Sequence, residues 1–251
     1  MKNALKNSII FSIVGVAIIF ALWFLLYFIV ADAYLLPSPI AVIQASFSNL
    51  TAPTFYVHLS YTLLRVVCAL IFSYALGVFL AILSHLFHRV ESVLLPIVSL
   101  LRSLPVLAVL LIILFFTLRT IAPVIVCVLS VLPIVYSHTL GYLSSVSHKQ
   151  KEMLALYQVP LKTQIWSVYL KGYLPAFTKE ITAMFSFSLK LVVSAEILAN
   201  VFQSIGGDIS NAEIYSNTTL MSSLTLLVCV IGIIVEFIGT LIAFNMEKKF
   251  Q

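Results

Sequence analysis

The sequence predicts an all-α membrane protein with six transmembrane helices, and three observations support this fold class. Apolar residues make up 62% of the 251 residues and charged residues only 9%, whereas soluble domains carry about 25% charged residues. The apolar residues fall into six runs, each long enough for a membrane helix, which needs about 20 residues. The basic residues cluster in alternate connections, as they do in loops on opposite sides of a membrane.

The first apolar run, residues 8–30, follows Lys2 and Lys6, and a secretory signal peptide begins in the same way. An Ala-Asp-Ala sequence at 31–33 also resembles a cleavage site. A signal peptide has an apolar core of about 7–15 residues, but this run has 23. We therefore interpret residues 1–30 as a retained first transmembrane helix with a cytoplasmic N-terminus.

Five further runs are predicted as spans, and the connections between them are mostly short. The predicted spans cover residues 59–86, 92–117, 121–144, 177–203 and 220–244. We expect an external segment at 31–58, a five-helix core at 59–245 with a cytoplasmic loop at 145–176, and a cytoplasmic tail at 246–251. The two long connections contain the polar and turn residues of segments outside the hydrocarbon, and they are where partners can bind.

The distribution of basic residues predicts the orientation, because loops rich in Lys and Arg stay in the cytoplasm. With a cytoplasmic N-terminus, nine basic residues fall on the inner side and only Arg119 on the outer side. The nine are Lys2, Lys6, Arg89, Lys149, Lys151, Lys162, Lys171, Lys248 and Lys249. We therefore expect a multi-pass protein of the bacterial inner membrane with both termini in the cytoplasm.

Four basic residues lie inside the predicted spans, where an ionised side chain costs about 2.5–3.5 kcal/mol unless it has a partner, water or a function. Counting residues from the nearest span end places Arg65 level with Glu196, and Arg102 level with Glu236. We predict two structural ion pairs on this basis, although depth does not determine which helices are neighbours. Lys179 lies near the cytoplasmic end of its span, where its side chain can reach the interface.

Lys190 lies in the middle of the fifth span and has no acidic residue at its level. It faces an aqueous path, where it favours an anionic solute, or reaches Glu236 or Glu196 at a different level, or bonds to backbone carbonyls where proline-bent helices cross. Ser188, Ser194 and Asn200 add polar groups to this span and complete the predicted substrate path. Ser residues also mediate ordinary packing between membrane helices, so that alternative stays open.

The cytoplasmic loop 145–176 has the pattern of two short surface helices. Residues 150–158 favour a helix, which Pro160 interrupts. Apolar residues then recur at i, i+4, i+7 and i+8, the spacing of one helical face. They are Leu161, Ile165, Val168 and Tyr169. Either this face packs on the membrane helices while another meets a partner, or the loop lies on the bilayer surface.

Glu152 in this loop stands six residues before Gln158, and a Leu-Pro pair follows at 174–175. Further features in order are Leu36-Pro37-Ser38-Pro39, Thr62-Leu63-Leu64-Arg65-Val66, Leu101-Arg102-Ser103-Leu104-Pro105, Ala195-Glu196 and Ile205-Gly206-Gly207. In these features the chain resembles the permease subunits of ABC importers, in particular the sulfonate, taurine, nitrate and thiamine-precursor permeases. Their loop carries an EAA signature, in which Gln158 here replaces the family's Gly.

The resemblance implies a type I ABC importer permease fold in which the loop docks on a cytoplasmic ATPase. The residues it implicates in coupling are Glu152, Met153, Leu154, Ala155, Gln158, Leu161 and Ile165. It also implies two ATPase subunits that bind ATP and Mg, a second permease copy or related subunit, and an extracytoplasmic solute-binding protein. The two permeases would form the path for a small solute, for which the membrane charges favour an anion. No cofactor is expected on this chain, and membrane lipid surrounds it.

Other functions fit the sequence less well. No G-x-x-x-x-G-K-[ST] phosphate loop occurs, so the ATPase is expected on a separate chain. The five His and three Cys lack metal-site or redox-motif spacing, so no metal site or intramembrane enzyme is predicted. The scattered basic residues do not predict nucleic-acid binding. An ion-coupled secondary transporter is the main alternative, because it would use the same membrane charges, but no internal repeat is found.

Overall fold

The computed structural model describes residues 2–145, 152–153, 156–160, 163 and 171–250. Within these residues the chain forms nine helices and no strand. They are α1 (Lys2–Val30), α2 (Pro39–Thr51), α3 (Pro53–Leu86), α4 (His88–Ser103), α5 (Val106–Leu114), α6 (Ala122–Ser145), α7 (Lys171–Ala199), α8 (Ile205–Ile214) and α9 (Thr218–Phe250). The predicted all-α fold class is confirmed.

Four long helices, α3, α6, α7 and α9, form the bundle, and each is long and apolar enough to cross a membrane. α3 packs on α6 and α7, and α7 packs on α9. We call the end of the bundle that holds residues 86–88, 145 and 171 the loop end, because the loop 145–176, which is predicted to be cytoplasmic, joins α6 and α7 there. The opposite end, where α2 and α8 lie, is the cap end.

The third predicted span, residues 92–117, is divided into two helices. Its residues form α4 and α5, which meet at an angle of 92°. The break falls at Leu104 and Pro105, because proline disfavours helical backbone in the residue before it and cannot donate a helical hydrogen bond. Leu104 accordingly has an extended backbone with ψ 130°. Pro96 and Pro133, by contrast, lie inside helices that stay continuous.

The two halves of the broken pair pack at opposite ends of the bundle. Val98 of α4 contacts Ala81 and Tyr136 towards the loop end. Leu110 of α5 packs in the cluster of Ala122 and Ala195 towards the cap end. The pair therefore passes from one end of the bundle to the other, as the predicted third crossing requires.

α1 lies at the edge of the fold. It contacts α2, and most of its side chains between Val14 and Val30 are exposed. In the described side chains its apolar stretch covers Val14–Val30, which is shorter than the stretches of the four long helices. These four helices and the broken pair give up to five crossings, so the sixth crossing, by α1, stays a prediction.

The interior between the long helices is filled mainly by small and β-branched side chains. Val66 of α3, Val131 of α6 and Val192 of α7 are fully buried in one cluster, which Ile205 of α8 joins. Such side chains allow helix backbones to approach closely. This packing fixes the positions of the polar groups described below.

The two short helices at the cap end begin at serine caps. The Ser38 hydroxyl accepts a hydrogen bond from the Ala41 N–H at 3.1 Å, and Pro39 occupies the first helical position. The Ser204 hydroxyl accepts from the Gly207 N–H at 2.8 Å. Ser is a preferred N-cap and Pro is tolerated at the first position, because the first N–H groups have no partner within the helix. α2 and α8 therefore start where the sequence provides these caps.

Candidate functional site

A buried carboxylate organises the cap end of the bundle. Glu196 is fully buried and accepts three hydrogen bonds. Arg65 Nη1 donates to Oε1 at 2.7 Å, Thr62 Oγ1 donates to Oε2 at 3.0 Å, and the Gly206 N–H donates to Oε2 at 3.2 Å. The structure thus brings together Arg65 and Glu196, the first of the two pairs expected from the sequence.

This cluster links four segments of the chain. Arg65 Nε donates to the carbonyl of Thr120 at 3.3 Å, in the connection before α6. Thr62 Oγ1 accepts from the Ile205 N–H at 3.1 Å. Because Glu196 lies on α7, Arg65 and Thr62 on α3, and Ile205 on α8, the hydrogen bonds hold these three helices and the 115–121 connection in one arrangement.

Two glycines allow α8 to approach the carboxylate. A Cβ at Gly206 would overlap the Cβ of Glu196 and lie 2.7 Å from the Val193 carbonyl oxygen. A Cβ at Gly207 would overlap the Val201 carbonyl oxygen. The Gly-Gly pair is therefore required by the close contact of backbones at this point.

The second expected pair, Arg102 with Glu236, does not form. Arg102 Nη2 donates instead to the carbonyl of Pro133 at 3.2 Å, and both Arg102 and Glu236 are exposed. The physical reason is lateral position, since α4 packs on α3 and α6, whereas α9 packs on α7, α2 and α8. Two side chains at equal depth cannot meet when their helices are not neighbours.

α7 has an exposed face that includes Lys190, the basic residue in the middle of the predicted fifth span. Phe187, Lys190, Ser194 and Leu198 are all exposed and follow one another at helical spacing. The Ser194 hydroxyl donates to the carbonyl of Lys190 at 2.9 Å. Two of the four residues expected on the substrate path therefore share one face.

The other two path residues lie elsewhere. Ser188 is fully buried, because a residue two positions from Lys190 points to the opposite side of a helix; its place on the substrate path stays a prediction. Asn200 is exposed at the end of α7 with φ 47°. The Asn200 N–H donates to the Ile197 carbonyl and the Val201 N–H to the Glu196 carbonyl, so Asn200 ends the helix as the left-handed residue of a Schellman motif.

Four of the expected coupling residues, Leu154, Ala155, Leu161 and Ile165, lie outside the described residues. Glu152 and Met153 are helical and exposed. The Tyr157 N–H donates to the Met153 carbonyl at 3.0 Å, which completes a helical turn. Gln158 follows in a turn with φ 48°. The turn thus has the left-handed conformation that glycine adopts most easily, although the residue is Gln.

A cavity of about 600 Å³ opens between α6 and α7 near the loop end. His138 Nδ1 of α6 lies 3.6 Å from Glu180 Oε1 of α7, and both residues line the cavity with Tyr142 and Lys179. The contact joins the two helices that enter and leave the cytoplasmic loop. No sequence pattern indicates this contact, because the two residues lie 42 positions apart on different helices.

A second contact missed by the sequence analysis lies at the cap end. His58 Nδ1 of α3 is 2.6 Å from Asp208 Oδ2 of α8. Both line a cavity of about 460 Å³ together with Asn49, Asn211 and Tyr215. No sequence signal joins residues that are 150 positions apart, and only the docking of α8 on α3 brings them together.

The described residues contain no group of three or more His, Cys, Asp or Glu side chains that could hold a metal ion. The polar contacts instead join helices to each other, and the exposed charges within the helices include Lys190 of α7, Arg102 of α4 and Glu236 of α9.

Comparison with known proteins identifies the family. A family model described as "Binding-protein-dependent transport system inner membrane component" matches residues 73–248, which is more than half of the chain. No curated protein matches the chain. The matched region begins in α3 and includes the rest of the bundle, the cytoplasmic loop and the cap helix α8. The chain therefore belongs to the family of binding-protein-dependent transport inner-membrane components, which are the permease subunits of ABC importers.

Proposed function

We propose that this permease forms one half of the path through which an ATP-driven importer moves a small anionic solute. The observation that carries this proposal is the position of Lys190, which is exposed near the middle of α7. A lysine at this depth costs about 2.5–3.5 kcal/mol in contact with hydrocarbon. Its exposed face is therefore expected to contact water in a transport path.

The anionic character of the proposed solute is inferred from the charge of Lys190. No acidic residue lies among the other exposed positions of this helix face, 187, 194 and 198. Cations lining a cavity with low-dielectric walls raise the local concentration of anions. The Ser194 hydroxyl supplies a neutral hydrogen-bonding group beside the cation.

A single exposed helix face does not enclose a path, and a second permease is needed on the opposite side. We propose that a second copy of this chain or a related subunit supplies it. The external segment 31–58 and residues 204–219, which include α8, would then face the solute-binding protein. This binding protein would deliver the solute at the cap end.

The cytoplasmic loop is the proposed contact with the ATPase subunits, which bind ATP and Mg. It connects α6 to α7, and α7 carries Lys190 on its exposed face and Glu196 in the cap-end cluster. A displacement of the loop would therefore move α7, which lines the proposed path. The hydrogen bonds of Glu196 would transmit this movement to α3 and α8. Glu152, Met153 and Gln158 are the described residues of this contact.

Co-purification tests the partnership with the ATPase. The permease is expressed with any ATPase subunit that is encoded nearby, and the wild type is compared with Glu152→Ala and with a deletion of residues 153–158. We expect the ATPase to co-purify with the wild type and the loop deletion to release it or abolish coupled hydrolysis. Solute uptake into vesicles without ATP would overturn the proposal in favour of an ion-coupled transporter.

Lys190→Gln and Lys190→Arg test the path in vesicles that contain the complete importer. We expect Lys190→Gln to lower the rate of anion uptake about tenfold or more, which corresponds to loss of about 1.4 kcal/mol of charge stabilisation, and Lys190→Arg to retain most of it. Lys179→Gln is the matched control, because it removes the same charge from the loop end of α7. Equal uptake by both Gln variants would contradict the role of Lys190.

A further inference from the structure

The short helix α2 at the cap end has three different faces. Its buried positions are Pro39, Val42 and Ser46. Its exposed apolar positions are Ile40, Ile43, Phe47 and Leu50, and its exposed polar positions are Gln44, Ser48 and Thr51. Each set repeats at helical spacing, so each forms one face of the helix. We call the buried face, which packs on the rest of the chain, the protein face; the other two are an exposed apolar face and an exposed polar face. None of its 13 residues is charged.

The protein face determines the depth of α2 relative to the membrane. Asn49 Nδ2 donates to Ser223 Oγ at 2.9 Å, and Ser46 Oγ donates to the Ser223 carbonyl at 3.5 Å. Ser223 lies in the second turn of α9, close to the start of the apolar segment Thr218–Met246. α2 is therefore attached at the level where a membrane-spanning helix enters the bilayer.

The chain on both sides of α2 requires the same depth. α1 ends at Val30 and α3 begins at Pro53, so α2 lies between the ends of two apolar helices. A helix of this length extends about 20 Å, and it has to stay near the interface when both its neighbours enter the membrane there. Its length is below the roughly 20 residues of a span.

The exposed apolar side chains are too large and too close together for a surface that faces only water. Phe47 is 67% exposed and Ile40 is 57% exposed, and a contiguous apolar surface of this kind marks contact with a partner or a membrane. Tyr34 and Tyr56, which flank the helix in the chain, are also exposed. Tyrosine is enriched at the headgroup level, because its ring is apolar and its hydroxyl is polar.

We propose that α2 is an in-plane helix, which lies in the membrane–water interface on the external side of the inner membrane. Ile40, Ile43, Phe47 and Leu50 contact lipid acyl chains, and Gln44, Ser48 and Thr51 contact water and headgroups. Because α2 also holds Ser223, it anchors the start of α9 to the lipid surface. The absence of charge in α2 favours apolar contact with lipid over attraction to anionic headgroups.

Fluorescence quenching in lipid vesicles tests this arrangement on the full-length chain. The two native tryptophans, Trp23 and Trp166, are replaced by Phe, and one tryptophan is introduced by Phe47→Trp or by Ser48→Trp. The vesicles contain phosphatidylcholine with bromine on the acyl chains, which quenches tryptophan on contact. We expect Phe47→Trp to be quenched at least about twofold more strongly than Ser48→Trp, and aqueous iodide to quench Ser48→Trp more strongly.

Two outcomes would overturn the proposal. Equal quenching of the two variants by brominated lipid would mean that α2 is not oriented in the interface. Protection of Phe47→Trp from both quenchers would mean that a protein, such as a second copy of the chain, covers the apolar face. Ile43→Trp with Gln44→Trp forms an independent pair on the same two faces, so the test stands even where a variant at 47 or 48 fails to fold.

Discussion

At the scale of single residues, Glu196 is the centre of the cap end because it is charged, fully buried and shared by three donors. Burial of an isolated carboxylate is strongly unfavourable, and only a hydrogen-bonded counter-charge offsets it. Arg65 supplies the counter-charge from a side chain that is itself only 12% exposed. The cluster therefore stabilises one arrangement of α3, α7 and α8 and penalises arrangements in which Glu196 loses its donors.

Glu196→Gln is expected to lower the free energy of unfolding by about 3 kcal/mol, because it leaves the guanidinium of Arg65 without its counter-charge. The double variant with Arg65→Met is expected to cost less than the sum of the two single changes. Equilibrium unfolding in mixed micelles measures both. Glu236→Gln is the control, since Glu236 is exposed, and its effect should stay within about 0.5 kcal/mol. Equal losses at 196 and 236 would contradict the buried pair.

Gly206→Ala is expected to destabilise the protein by about 1–3 kcal/mol, because the added methyl group overlaps Glu196 and has no space to move into. Gly141→Ala provides the opposite case. A Cβ at Gly141 meets nothing within 4 Å, and Ala is favoured over Gly within a helix by about 0.5–1 kcal/mol. The same unfolding measurement compares the two variants. An unchanged free energy of unfolding in Gly206→Ala would mean that α8 does not approach α7 this closely.

These contacts show what residue counting predicts in a membrane bundle and what it misses. Depth along a helix is readable from the sequence, and it placed Arg65 level with Glu196. The same count failed for Arg102, because which helices are neighbours depends on tertiary packing that no local pattern contains. The burial of Ser188 was not predictable for a related reason, since a polar residue in an apolar helix does not indicate which face it lies on.

At the scale of helices and turns, several helix ends in this chain have a left-handed residue that is not glycine. Asn200 and Ser216 have φ values of 47° and 53°, and the hydrogen bonds around each form the same Schellman pattern. Left-handed backbone costs a residue with a Cβ roughly 1–2 kcal/mol, and Asn tolerates it better than most. Gln158 carries the same cost in the cytoplasmic loop without the advantage of Asn.

Gln158→Gly is expected to tighten binding of the ATPase subunit about fivefold, because glycine lowers the cost of the left-handed turn by about 1 kcal/mol and so raises the population of the proposed docking conformation. Titration of the detergent-purified permease with the ATPase subunit measures the affinity. Gln158→Ala is the control, since it removes the same side chain and keeps the left-handed strain. Tighter binding by the Ala variant to the same extent would mean that the side chain, and not the backbone, limits docking.

The prolines of α4, α5 and α6 show why the helix boundaries were only partly predictable. Pro96, Pro105 and Pro133 all lie within predicted spans, and of these three only Pro105 separates two helices. The intact helices pack on neighbours along their length, and in a membrane neighbouring groups can satisfy the carbonyl that proline leaves free. Pro133 also takes part in contacts of its own, because its carbonyl accepts from the Arg102 guanidinium and the Ser137 hydroxyl.

At the scale of the whole molecule, the direction of every long helix is fixed once the side of the membrane that holds the loop between α6 and α7 is known. α3 and α4 are joined at residue 87, and α5 and α6 at residues 115–121. The positive-inside rule assigns the first connection, with Arg89, to the cytoplasm and the second, with Arg119, to the outside. The broken pair α4–α5 has to connect these two sides, which excludes a re-entrant loop in this orientation.

Labelling of single cysteines is expected to establish this topology. Cys68, Cys127 and Cys229 are replaced by Ala, and one cysteine is introduced by Thr51→Cys, His88→Cys, Arg119→Cys or Leu156→Cys, all at exposed positions. A membrane-impermeant thiol reagent added to intact cells without an outer-membrane barrier should label the variants at 51 and 119. The variants at 88 and 156 should react only after the inner membrane is opened, because the basic loops hold their side of the chain in the cytoplasm. Labelling of 88 and 119 from the same side would make α4–α5 a re-entrant pair, whereas labelling of 156 from outside would reverse the orientation and remove the loop from any cytoplasmic ATPase.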